Sequence, residues 1–73
     1  MARSTVKTEI TGKVWKVTAT KGQRLAEDDA IVILESMKME IQVPAPMDCT
    51  IVDMVVAEGD TVTEGDVIAY IEH

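Results

Sequence analysis

An all-β domain is what this 73-residue chain predicts, on three observations. Its apolar residues fall in short segments rich in Val and Ile, several of them alternating with polar residues, and no 3.6-residue period is present. Clusters containing Gly and Asp punctuate those segments, as turns do. The chain also repeats itself. A shift of 37 positions lays Gly22 on Gly59, Glu27 on Glu64, Asp29 on Asp66, Ile31 on Ile68 and Glu35 on Glu72. The apolar positions follow, Val14 on Ile51, Val17 on Met54, Leu25 on Val62 and Leu34 on Ile71. Such a repeat reports one structural unit used twice, and each copy is too short to close a core of its own.

Taken in order, residues 1–5 are expected to fray. Residues 6–10 read as a strand and Thr11-Gly12 as a turn. Residues 14–20 form a strand whose apolar positions Val14, Val17 and Ala19 break strict alternation. Ile51, Met54 and Val56 break it in the same way, so each copy should hold a bulge or bend. Lys21-Gly22 and Glu58-Gly59 are matched turns, and Leu25 and Val62 lie in short strands. Residues 26–29 and 63–66 are the next turns, the second containing Gly65, before strands at 30–35 and 67–72. Residues 39–43 alternate as a strand does. Pro44 and Pro46 end it, because proline has no N–H to give a ladder.

Glu35-Ser36-Met37-Lys38-Met39 joins two of these strands. The pattern makes a hairpin with Lys38 at its tip. Two-residue hairpin loops favour Asn-Gly, Asp-Gly or Gly-X, because the backbone there takes positive φ. Met37-Lys38 offers no such help and sets an apolar thioether beside a charge. A local rule broken inside an otherwise consistent sequence is where function is expected. The bland alternative is a solvated turn lysine.

Glu-Ser-Met-Lys-Met closely resembles the Met-Lys-Met attachment motif of biotinyl domains, the carrier modules of biotin-dependent carboxylases and decarboxylases. The similarity runs from about Val6 to Glu72 and extends to small stand-alone biotin/lipoyl attachment proteins. The resemblance implies one biotinyl domain over residues 1–73 with an ordered core at about 6–72. It implies a flattened β-barrel, a barrel-sandwich hybrid of two antiparallel sheets with quasi-twofold internal symmetry. It further implies that a biotin protein ligase acylates Lys38 from an activated biotinyl-adenylate, with Met37, Met39 and Glu35 read by the ligase. Biotin on Lys38 would then move a carboxyl group from a biotin carboxylase to a carboxyltransferase, and the chain itself would be a carrier and no enzyme. Lipoyl domains usually show Asp-Lys-Ala at this point, so a lipoyl or dual carrier is the nearer alternative. An unmodified interaction domain of the same fold is the more distant one.

Composition agrees with a small carrier. A chain this short buries only about 60% of its unfolded surface. With no Phe, one Trp and one Tyr, its core must be built from Val and Ile. The net charge of −6 argues against nucleic acid as a partner. All seven Lys and Arg lie in residues 1–38, with five acids, whereas residues 39–73 hold eight acids and no base. Lys38 is thus the sole base after Arg24. A lone Cys49 excludes an intrachain disulfide, and no apolar stretch has the length of a membrane span, so a cytoplasmic protein is expected. The acidic turns lack the ligand spacing of a calcium loop, and one Cys with one His supports no metal centre.

Three departures from the family pattern stand out. Cys49 and Asp28 each occupy a place where that family commonly has glycine. The protruding thumb of some bacterial carrier domains has no counterpart between Val17 and Gly22. Gly22, Gly59 and Gly65 are the expected structural turn residues.

Overall fold

The computed structural model describes residues 2–73; Met1, part of the terminus expected to fray, lies outside them. Alternating patterns and turn residues produce eight strands: β1 (Arg3–Lys7), β2 (Gly12–Val17), β3 (Arg24–Leu25), β4 (Ala30–Ser36), β5 (Met39–Pro44), β6 (Cys49–Met54), β7 (Thr61–Val62) and β8 (Val67–Glu72). Two four-stranded antiparallel sheets result, ordered β1-β8-β6-β3 and β5-β4-β2-β7. The 37-residue shift carries β2 to β6, β3 to β7 and β4 to β8, and β1 and β5 complete the exchange. One sheet is therefore a copy of the other.

The copy extends to individual residues. The register of β2 on β4 slips between Val14 and Lys16, opposite Leu34 and Ile33, and that of β6 on β8 slips between their mates Ile51 and Asp53, opposite Ile71 and Tyr70. These are the two bulges expected from broken alternation, with Trp15 and Val52 as the extra residues. A second matched pair leaves Ile31 and Ile68 unpaired in β4 and β8. The turns match as well: Gly22 N–H donates to the Ile51 carbonyl as Gly59 N–H does to Val14, at 2.7 and 2.8 Å. Asp29 and Asp66 each accept from the backbone N–H three residues before them.

The core lies between the sheets and draws equally on both copies. Val14, Ile31 and Leu34 and their mates Ile51, Ile68 and Ile71 are all but fully buried. Each contributes roughly 1.5–3 kcal/mol on burial. Thr8 is the buried polar residue, and its hydroxyl donates to the Ile10 carbonyl while accepting from the Ile10 N–H.

The flattened two-sheet arrangement expected from the sequence is present, but the sheets do not close into a barrel. Edges remain at β1, β3, β5 and β7, and they are blunted by brevity in β3 and β7 and by Pro44 in β5. Two strand placements also differ. The first strand begins at Arg3, not Val6, because β8 offers Arg3, Ser4 and Thr5 a ladder against Glu72, Ile71 and Tyr70. It stops at Lys7, where Thr8 turns its hydroxyl to Ile10. The next strand starts at Gly12, which the sequence suggested for a turn, and ends at Val17. Beyond it the N–H groups of Thr18 and Ala19 both go to the Ile31 carbonyl.

Candidate functional site

Strands β4 and β5 are held in register by Leu34 opposite Ile41, Glu35 opposite Glu40 and Ser36 opposite Met39. Leu34 is buried and anchors the hairpin to the core, whereas Glu35 and Glu40 face solvent on adjacent strands. Only Met37 and Lys38 remain to connect them. Both take the left-handed backbone region, at φ 53° and 64°, as a twist-matched two-residue hairpin loop demands. For residues with a Cβ this costs about 1–2 kcal/mol each. The ladder below holds the strained pair in place, so the tip is fixed by the strands and not by its own preference.

At that tip Lys38 is exposed, between Met37 at 93% and Met39 at 63% exposure. Met39 is thus a surface residue and not part of the core. The ion pair among the described residues is Arg3 with Glu72, at 3.7 Å, so Lys38 and Glu35 carry unpaired charges. An exposed primary amine with nothing bonded across it, flanked by two flexible thioethers, can be reached and acylated by a large partner.

Gly22, Gly59 and Gly65 hold φ of 87°, 91° and 91°, in the turns where the sequence set them. Gly59 also borders a concavity beside Glu35, while Gly22 and Gly65 bond to Ile51 and Thr8 away from the tip. Asp28, the repeat mate of Gly65, keeps the left-handed conformation at φ 74° in spite of its side chain. Cys49 has a different explanation. It opens β6 opposite Leu25, fully buried, and loss of water pushes its thiol up, against Arg24 and with Asp48. A buried, protonated thiol is a packing group and no nucleophile.

One residue that matters to the hairpin was missed by the sequence reading. Gly12 is the repeat mate of Cys49 and packs against the base of the hairpin. A Cβ there would lie 2.7 Å from the Glu35 carbonyl oxygen and 3.4 Å from the Ser36 Cβ. Its glycine lets β2 press on the last residues before the tip. The signal in the sequence is the mismatch between the copies, glycine at position 12 against Cys49. No group of three or more potential metal ligands occurs among the described residues.

Comparison with known proteins agrees with this geometry. A family model described as biotin-requiring enzyme, for the biotin/lipoyl domain, matches residues 3–71. The chain is 39% identical over 64 residues to a biotin/lipoyl attachment protein of Bacillus subtilis, covering 88% of each. It is 39% identical over 66 residues to a biotinylated protein homolog of Mycobacterium leprae, covering 90% of this chain and 93% of that one. Among solved structures, the urea carboxylase of Kluyveromyces lactis superposes on 99% of this chain with a TM-score of 0.91 and 30% identity. A single-chain, multi-domain long-chain acyl-CoA carboxylase superposes on 94% with a TM-score of 0.90 and 28% identity. The chain spans only 6% and 7% of those two large proteins.

Proposed function

The chain belongs to the biotin/lipoyl attachment family, and from that premise we propose that it is a biotin carboxyl carrier with Lys38 as its point of attachment. It is a carrier and not itself catalytic. The observation that carries the assignment of Lys38 is its position: an exposed amine on a strained two-residue turn, between two exposed methionines, at the end of a laddered hairpin.

The residues present suit covalent attachment. Lys38 Nζ acylates only as the neutral amine, so the ligase accepts its proton, Nζ attacks the acyl carbon of biotinyl-adenylate, and the amide bond forms as the acyl–phosphate bond breaks and AMP leaves. The cationic charge disappears in that step, and the net charge goes from −6 to −7. Met37 and Met39 give the ligase an adaptable apolar surface on either side of the amine. Glu35 and Glu40 frame it with negative charge. The ladder of β4 and β5 keeps all of these groups in one geometry through recognition. When bound, biotin supplies the ureido ring that accepts and releases the carboxyl group.

The partners on this reading are a biotin protein ligase, a biotin carboxylase and a carboxyltransferase, all in the cytoplasm. Matches to small segments of an acyl-CoA carboxylase subunit and of pyruvate carboxylases support the latter two. An unpaired thiol at Cys49 supports a reducing compartment, and among the described residues no helix is long and apolar enough to cross a membrane. The acidic surface speaks against nucleic acid. A second reading, as a lipoyl carrier, is favoured by the biotin/lipoyl name of the Bacillus relative. Blotting the protein from its native host with streptavidin and with lipoate antibody separates the two. A streptavidin signal lost in Lys38→Arg is expected. A lipoate signal alone makes the second reading correct, and no signal in either blot makes the domain an unmodified one.

A further inference from the structure

The outer face of the β5-β4-β2-β7 sheet holds an open concavity of about 350 Å³, lined by Lys13, Val14, Trp15, Glu35 and Gly59. Its volume sits at the low end of small-molecule sites, which run from about 300 Å³ upward. Trp15, the chain's only tryptophan, is 49% exposed because it is the extra residue of the β2 bulge and points away from the core. The frame does not require an indole there. Its mate in the other sheet, at the same bulge, is Val52. Of the two matched bulges, only the one in the sheet that carries the lysine hairpin has an aromatic extra residue; the exposed aromatic of the other sheet, Tyr70, stands on β8.

Resting on the assignment of attachment to Lys38, we propose that this concavity is a docking site for the ring of biotin tethered to that lysine. Glu35 forms the near wall and lies two strand steps below the Met37-Lys38 tip, so the site's edge is roughly 7 Å from the tip. The lysine side chain and the acyl chain of biotin, both runs of single bonds, span that distance when extended. The chemistry of the walls is complementary to the ring. Its bicyclic body and thioether lie on the indole face. The ureido carbonyl accepts from the Lys13 ammonium, and a ureido N–H donates to the Glu35 carboxylate, two side chains held opposite each other on β2 and β4. Tethering through a short flexible arm gives an effective concentration of about 1 mM or more, so even a weak site is about half filled. The docked ring is shielded between visits to its partners and leaves for each of them by rotation of the arm.

The single tryptophan makes the test direct. The ligase, ATP and biotin convert the whole chain to its biotinylated form, confirmed by intact mass, and Trp15 fluorescence is compared before and after. A shift of emission to shorter wavelength with reduced acrylamide quenching is expected, and Lys38→Arg carried through the same incubation shows neither. Trp15→Val, which copies Val52, should leave the mass increase intact and raise the rate of capture by streptavidin roughly twofold, as the half-docked population is released. Superimposable spectra of the two forms, or an unchanged capture rate in Trp15→Val, overturn the docking site alone. Absence of the mass increase overturns the attachment at Lys38 and the docking site with it.

Discussion

Two matched places in this molecule are built on the same frame and end differently. In one sheet β4 and β5 run to Ser36 and Met39 and are joined by Met37 and Lys38. In the other, the equivalent strands β8 and β1 are followed and preceded by His73 and Ala2, which exchange two backbone hydrogen bonds of 2.8 and 2.9 Å. Registers, bulges and turn bonds below these points coincide. On the proposed reading, the frame ends and the specific chemistry begins at the joined end, at Met37 and Lys38. Among the described residues three non-glycine residues have positive φ: Asp28, in a turn that the other copy repeats with Gly65, and Met37 and Lys38, which form the hairpin tip.

The sameness of the two copies can be broken first, with the largest effect. Leu34 and Ile71 are mates and both fully buried, one beneath the hairpin and one beneath the termini. Each substitution to Ala is expected to cost about 2–5 kcal/mol, and the two costs should lie within about 1 kcal/mol of each other. Urea melts of both variants check this, and a much larger gap would show that one copy dominates the core. The difference between the copies is sharpened by Gly12→Ala, whose Cβ meets the Glu35 carbonyl, part of a backbone that cannot rotate away. A loss of about 1–3 kcal/mol is expected, with slower ligase turnover because the hairpin base is pushed outward. Thermal melts and ligase kinetics measure the two effects separately.

These cases show what could be seen in the chain beforehand. Paired positions such as Val14 and Ile51, or Gly22 and Gly59, disclosed the repeat, and broken alternation in both copies disclosed the bulges. The tip was legible because Met37-Lys38 violates hairpin chemistry between two clear strands. What was not legible depended on contacts between distant segments. Arg3, Ser4 and Thr5 have no strand signal of their own and gain one from β8. Gly12 carries the same letter as a turn glycine, and only the approach of Glu35 shows that it serves close packing. The open sandwich likewise follows from how short β3 and β7 are, which a single Leu25 or Val62 in the sequence does not disclose.

The smallest stability effect concerns the tip itself. Met37→Gly removes a Cβ from the left-handed region, and the gain is partly offset by the freer unfolded chain, leaving a net stabilisation of about 0.5–1 kcal/mol. The same change takes away an apolar contact for the ligase, so kcat/KM for biotinylation should fall while Tm rises. A variant that is both more stable and equally well modified would show that Met37 is retained for neither purpose. Lys38→Arg, by contrast, should change stability by less than about 0.5 kcal/mol, since the turn and its charge are kept.

The most direct measurement is a peptide map by mass spectrometry of the intact domain after incubation with ligase, ATP and biotin. The chain has five lysines, and Lys7, Lys13, Lys16 and Lys21 act as internal controls that the fold does not present on a strained hairpin tip. All biotin is expected on Lys38, and none on any residue of Lys38→Arg. Biotin on one of the other four lysines, or on the Lys38→Arg variant, would contradict the claim that the hairpin end of this repeated frame is what makes it a carrier.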